Sequence, residues 1–190
     1  RTGNVAATGG AQGEIGSTLV GAYGVLTLNA DGQYRYATTA SAADGLAAGA
    51  TAVDVFTYTI TDGALGGGAE LLITVKGVND APVLAGAGGT LSFTEDGSAT
   101  VIDSAVSLSD VDDTNIASAT ITISSGHVSS EDVLAFTNTS EITGSWDSSA
   151  GELTLSGDAT TAQYEAALET VTYQNTNTDD PNNGSRTVSW

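Results

Sequence analysis

Cysteine is absent from the 190 residues, and its absence removes disulfides, thiolate nucleophiles and Cys-ligated zinc. A single histidine, His127, leaves no room for His-based triads or multi-His metal sites. Cations are nearly as scarce: 4 Lys and Arg stand against 23 Asp and Glu, for a formal charge of −19. Nucleic-acid binding needs clustered Lys and Arg, so it is excluded, and an anionic membrane surface is disfavoured for the same reason. No run reaches the roughly 18 apolar residues of a membrane helix, so membrane insertion is not expected. No signal peptide is visible, and the chain starts at Arg1 and stops at Trp190 inside an alternating run. Both ends look cut, which predicts a piece of a longer protein.

What is present points to β-structure. Gly occurs 24 times, Pro only twice, and the hydrophobic fraction of 40% is enough for real cores. Thr and Val supply strands, while Gly, Asn and Asp supply turns at short intervals. Gly24-Val25-Leu26-Thr27-Leu28 alternates, Asn29-Ala30-Asp31-Gly32 turns, and Gln33-Tyr34-Arg35-Tyr36 resumes, which predicts a hairpin. Ala-rich residues 41–46 suit one helical turn. Between Val53 and Thr61, Asp54, Phe56, Tyr58 and Ile60 share a face, and Phe56, Tyr58 and Ile60 are expected in the core. Asp62-Gly63 opens a Gly-rich loop to Gly68, and a strand from Glu70 to Val75 is expected to bury Leu72 and Val75. Pro82 and the residue before it are restricted to extended geometry, so Asn79-Asp80-Ala81-Pro82 breaks the pattern. This divides the chain into residues 1–80 and 81–190.

In the second part, strands are expected at 90–93, 99–102, 117–124, 133–136, 142–146, 152–156, 169–174 and 186–190. Thr160 to Leu168 is the one helix expected there. Asp158 or Thr160 can cap it, and Tyr164, Ala167 and Leu168 fall at i, i+3 and i+4. The fold class is therefore all-β: two tandem antiparallel β-sandwich modules, with one short helix in the second. An internal echo fits tandem modules of one broad fold: Gly24–Leu28 resembles Gly151–Leu155, and Phe56-Thr57-Tyr58 resembles Val171-Thr172-Tyr173.

The residues suited to chemistry are carboxylates. Asp110-Val111-Asp112-Asp113 is the densest acidic cluster beside apolar strands. Such charges repel one another unless a cation neutralises them. Ca²⁺ is the natural partner, since it takes six to eight oxygen ligands in flexible geometry. On an extended strand, Asp-x-Asp points both carboxylates to one side, about 6–7 Å apart at the Cα level. The linker Asn79-Asp80 offers an amide oxygen, a carboxylate and backbone carbonyls, and Glu95-Asp96-Gly97 and Asp62-Gly63 are further acidic turns. Asp31 is better read as an ordinary turn residue. No EF-hand loop or nine-residue Gly-rich calcium repeat is present. Asp179-Asp180-Pro181-Asn182-Asn183-Gly184 reads as a solvated turn, with an ion site the lesser alternative. His127 reads as an exposed turn residue and Trp146 as core. No nucleophile–base pair is found, and paired carboxylates for glycoside hydrolysis lack a pocket signature, so no enzymatic activity is expected.

Residues 13–83 resemble a VCBS-type repeat. The resemblance rests on Tyr23-Gly24-Val25-Leu26-Thr27-Leu28-Asn29-Ala30-Asp31-Gly32-Gln33-Tyr34-Arg35-Tyr36, on Asp54-Val55-Phe56-Thr57-Tyr58-Thr59-Ile60-Thr61-Asp62-Gly63, and on Ile73-Thr74-Val75-Lys76-Gly77-Val78-Asn79-Asp80-Ala81-Pro82-Val83. The second half is similar to the cadherin-like modules that follow such repeats. It matches in Phe93-Thr94-Glu95, Leu108-Ser109-Asp110-Val111-Asp112, Gly151–Leu155, the Ala-rich helix and Arg186–Trp190, and departs by stopping before the closing strand. The resemblance implies Ig- or cadherin-like sandwiches from a very large bacterial adhesin of the RTX class, type I-secreted and extracellular on the bacterial cell surface. It implies Ca²⁺ at the junction, with Asn79 and Asp80 joining Asp110 and Asp112, Glu95 serving this junction or the next, and Asp62 or Asp113 completing a shell. The expected function is a non-catalytic, monomeric stalk segment in cell adhesion and biofilm formation, whose partners are neighbouring modules of the same polypeptide. The alternative is a tip module that binds a host-surface peptide or glycan.

Overall fold

The computed structural model describes residues 2–7, 12–61 and 64–190. The chain divides into two compact units, Arg1–Asp80 and Ala81–Trp190. Among the described residues the architecture is all-β, and every strand pair is antiparallel.

The first unit contains β1 (Thr2–Ala7), β2 (Gln12–Glu14), β3 (Thr18–Val20), β4 (Gly24–Leu28), β5 (Tyr34–Thr38), the single turn α1 (Ala40–Ala43), β6 (Thr51–Thr61) and β7 (Gly66–Lys76). One sheet runs β2-β1-β6-β7 and the other β3-β4-β5. The β4/β5 hairpin turns at Asp31, whose Oδ1 accepts from the Gln33 amide at 3.0 Å, the role expected of it. Leu19, Leu26 and Phe56 meet between the sheets, the last two 1% and 0% exposed. Burying side chains of this size stabilises by about 1.5–3 kcal/mol each.

Two expectations fail here, both for reasons of register. Ile60 is 42% exposed, because its cross-strand partner is Gly67, which has no side chain to cover it. Leu72 is exposed as well: it pairs with Val55 on the outward face, while Leu71, Ile73 and Val75 alternate inward. Asp54 shares the inward face with Phe56 and is 2% exposed. Its carboxylate accepts from the Ala22 amide at 2.7 Å, the Tyr23 amide at 3.1 Å and the Tyr36 hydroxyl at 2.6 Å. Gly21 makes room for it, since a Cβ there would lie 2.4 Å from Asp54 Oδ2. Burial, with Asp54 next in weight, pushes the Tyr36 hydroxyl well above its ordinary pKa.

The second unit contains β8 (Val83–Ala85), β9 (Thr100–Val101), β10 (Ser107–Ser109), β11 (Asn115–Ser125), β12 (Asp132–Ala135), β13 (Thr143–Asp147), β14 (Glu152–Thr160), α2 (Thr161–Leu168), β15 (Thr172–Asn175) and β16 (Thr187–Ser189). A four-stranded sheet, β13-β14-β11-β16, and a three-stranded sheet, β12-β15-β9, share one core, and β10 pairs separately with β8. The four-stranded sheet supplies Ile121, Leu153 and Leu155, and the three-stranded sheet supplies Leu134 and Tyr173. The strand expected at 90–93 does not form. Leu91 and Phe93 still pack on the core, Phe93 meeting Tyr173 edge-on with centroids 5.2 Å apart.

Helix α2 starts at a capping box. Thr160 accepts from the Gln163 amide, and Gln163 Oε1 accepts from the Thr160 amide at 2.9 Å. The helix buries Tyr164, Ala167 and Leu168, the face expected of it. Tyr164 also donates to the Gly157 carbonyl at 2.7 Å. Gly157 lies where the β11/β14 register shifts, at φ 146, and a Cβ there would meet the Glu141 carbonyl oxygen at 1.9 Å.

Candidate metal centre

Strand β10 ends at Ser109 and β11 begins at Asn115, so residues 110–114 must turn between two strands that lie in different sheets. Asp110 makes that turn. Its Oδ1 accepts from the amides of Asp112 at 3.2 Å and Asp113 at 3.0 Å, the local side-chain-to-backbone bonding that favours Asp in turns. The expectation of an extended Asp-x-Asp is therefore corrected: the cluster is folded back on itself. One oxygen from each of Asp110, Asp112 and Asp113 lies within 4.8 Å of the others, and all three residues are half-buried. The Asp113 amide, with that of Asp112 contributing less, holds the Asp110 carboxyl below the usual carboxylate range.

Residues 81–190 hold sixteen Asp and Glu and one Lys or Arg, Arg186. That guanidinium is taken elsewhere: Nη2 lies 3.0 Å from Asp132 Oδ1 and 3.6 Å from Glu131 Oε2. The donor set at 110–113 is all oxygen and all carboxylate, which suits a hard divalent cation such as Ca²⁺.

The other expected ligands stand apart in kind. Glu95 is exposed in the turn before Gly97, next to Asp96 at φ 59, and does not join the three aspartates. Asn79 is exposed and donates to the Asp80 carbonyl at 2.6 Å, and half-buried Asp80 is the last residue of the first unit. Asp62 lies outside the described residues.

A second acidic centre was not singled out from the sequence. Asp132, 1% exposed, accepts from the Val128 amide and the Tyr173 hydroxyl, each at 2.7 Å, and from Arg186 Nε at 3.1 Å. Burial first, and Asp132 second, push the Tyr173 hydroxyl up to about 12. Glu131 accepts from the Asn182 amide at 2.9 Å, Asn177 Nδ2 at 3.1 Å and Asn175 Nδ2 at 3.2 Å. The Asn182 amide is the chief cause that holds Glu131 below the usual carboxylate range. Arg186 Nη1 donates to the Asn182 carbonyl at 2.8 Å. The 179–184 loop is largely exposed, as expected of a solvated turn, and is in addition pinned by a guanidinium. Arg186 was legible only as part of a strand; its partners lie too far away in sequence for any motif to join them. His127 is half-buried rather than exposed and packs edge-on against Trp146, with centroids 6.2 Å apart.

In the first unit, a cleft of about 280 Å³ is lined by Tyr34, Tyr58, Ile60 and Leu71, with Asp31 and Glu70 at its polar positions. Tyr34 is 53% exposed. No helix among the described residues is long and apolar enough to cross a membrane.

No protein-family model and no solved structure matches the chain. Among known proteins, Halomucin of Haloquadratum walsbyi is 32% identical over 145 residues, which are 70% of this chain. The chain spans only about 2% of the length of Halomucin, so the similarity is to one short stretch of a far longer protein.

Proposed function

We propose that this chain is a non-catalytic pair of modules in a long extracellular surface protein, a stalk segment in adhesion and biofilm formation that binds Ca²⁺ through Asp110, Asp112 and Asp113. The observation that carries the metal assignment is the convergence of three half-buried carboxylates, one oxygen of each within 4.8 Å of the others. The similarity to a short stretch of a far longer protein supports the modular reading, and the mucin-like name of that relative is compatible with a place on the cell surface. The resemblance of the chain to VCBS-type and cadherin-like modules supports the same assignment. Isothermal titration with Ca²⁺ tests it: binding is expected in the intact chain and lost in D110N/D112N. Heat exchange that is the same in the intact chain and the double variant excludes the site. Titrating N79A and D80N in parallel tells whether the linker residues expected from the sequence add to the ligand set.

A second reading is favoured by the cleft of the first unit. Two tyrosines with two carboxylates can stack against and hydrogen-bond a sugar or a peptide. A glycan array and a peptide panel, each run with the intact chain and with Y34A, decide it. Signal that Y34A abolishes makes the pair a ligand-binding tip, and silence in both leaves the stalk.

A further inference from the structure

The loop pinned by Arg186 carries the one Asp–Pro bond of the chain, Asp180–Pro181. Its carbonyl is not left to solvent alone: Asn177 Nδ2 donates to the Asp180 carbonyl oxygen at 2.9 Å. The Asn177 amide has no freedom to turn away. Nδ2 also donates to Glu131 Oε1 at 3.1 Å, and Oδ1 accepts from the amides of Asp179 at 3.1 Å and Asp180 at 3.3 Å. Glu131 is held in turn by Asn175 Nδ2 and by the Asn182 amide, so the donor rests on a chain of satisfied bonds.

We propose that Asp180–Pro181 is a self-cleaving peptide bond, opened in acid by the Asp180 side chain while the Asn177 amide polarises the scissile carbonyl. An oxygen of the Asp180 carboxyl adds to the carbon of its own main-chain carbonyl and closes a five-membered ring. The bond from that carbon to Pro181 N then breaks, and the carboxyl proton ends on the departing nitrogen. The product is a cyclic anhydride on Asp180, which water opens to a free C-terminal Asp180. Nothing is oxidised or reduced, and one water is consumed.

The local chemistry favours this bond over others. Pro181 is a tertiary amide without an N–H, and the residue before a proline is biased to extended geometry. The carbonyl oxygen gains negative charge as the ring closes, so a fixed N–H donor on it stabilises the transition state more than the ground state. The charged groups around the bond are Asp179 beside it, Glu131 behind Asn177, and Arg186 on the Asn182 carbonyl. The reaction needs the protonated carboxyl and therefore speeds up as the pH falls. In the intact chain β16 pairs with β11 and Arg186 meets Asp132, and these contacts would hold the two pieces together after cleavage, which is why the readout must be denaturing.

The test incubates the full chain at the lowest pH at which circular dichroism still shows it folded, with denaturing mass spectrometry as the readout. Two pieces are expected, one ending at Asp180 and one beginning at Pro181, with masses summing to the parent plus one water. D180N is expected to stay whole. N177A is expected to cleave about a hundredfold more slowly, since one fixed donor to the developing oxyanion is lost. The same chain in urea at the same pH, which needs no variant to fold, is expected to cleave more slowly than the folded chain. Equal rates folded and in urea, equal rates in N177A and the parent, or an intact folded chain each overturn the proposal.

Discussion

Arg186 reaches Asp132 across fifty-four residues of sequence and meets it side-on, with Nε 3.1 Å from both carboxylate oxygens and Nη2 3.0 Å from Oδ1. The Arg186 side chain is 9% exposed and that of Asp132 0%, so solvent screens the pair little. It joins the entry to β16 to the start of β12, two strands in different sheets, and supports the loop at 179–184.

Removing one partner of such a pair leaves the other charge buried and alone. Asp132→Ala also strands the Val128 amide and the Tyr173 hydroxyl. We expect a loss of about 3–5 kcal/mol in the second unit, measured by urea unfolding with Trp146 as the fluorescent probe. A loss below about 1 kcal/mol means that the pair is better solvated than its burial implies.

Asp54 has the same standing in the first unit, where it ties β6 to the Ala22 and Tyr23 amides and to Tyr36. Asp54→Ala is expected to destabilise that unit by about 3 kcal/mol, because hydrogen bonds to a charged acceptor contribute about 1.5–3 kcal/mol each and three donors lose their partner, while exposed Ala22 and half-buried Tyr23 and Tyr36 recover part of the loss from water. Tyr36→Phe removes one of those bonds and is expected to cost about half as much. Hydrogen exchange at the Ala22 and Tyr23 amides locates the effect: both should lose protection in Asp54→Ala and keep it in Tyr36→Phe.

Ca²⁺ is expected to raise the melting temperature of the second unit, since a ligand at a hundredfold excess over its Kd adds about 2.7 kcal/mol to the state that binds it. Extracellular Ca²⁺ modules bind at about 10⁻⁴–10⁻³ M, so a test of the proposed site must reach tens of millimolar. Scanning calorimetry in chelator and in Ca²⁺ measures the shift, and D110N/D112N should remove it.

Stability should fall at both ends of the pH scale, with distinct causes. Backbone amides hold Asp110, Asp103 and Glu131 below their ordinary range, and the Ser149 hydroxyl and amide do the same for Asp147. Their contribution is fully present above the ordinary carboxylate pKa of about 4 and is lost as the pH drops through the lowered values. Tyr173 moves the other way, to about 12. Its contribution is complete below the ordinary tyrosine pKa of about 10 and disappears as the pH rises towards 12. Urea midpoints from pH 2 to 12 trace both limbs, and Tyr173→Phe should flatten only the alkaline one.

Much of the fold was legible locally. The β4/β5 hairpin, the α2 helix with its Thr160 cap, and the inward stripe through Phe56 follow from turn chemistry, capping and period-two alternation, which act over a few residues. Where local reading failed, a distant neighbour was responsible. Ile60 lost its cover because Gly67 sits opposite, and Leu72 faces outward because register places it beside Val55. Strands β8 and β10, three residues each, are too short for alternation to declare itself.

The candidate site divides along the same line. Asp110, Asp112 and Asp113 are adjacent in sequence, so their clustering was readable, but whether they lay along a strand or closed a turn depended on where β10 and β11 had to go. The amino-acid sequence by itself determined the antiparallel β architecture, the capped helix and the excess of negative charge, because sterics, periodicity and composition are local or additive. Only the tertiary structure decided which distant partner each buried acid meets, since Arg186 finds Asp132, and Tyr36 finds Asp54, through contacts that exist once the sheets have packed.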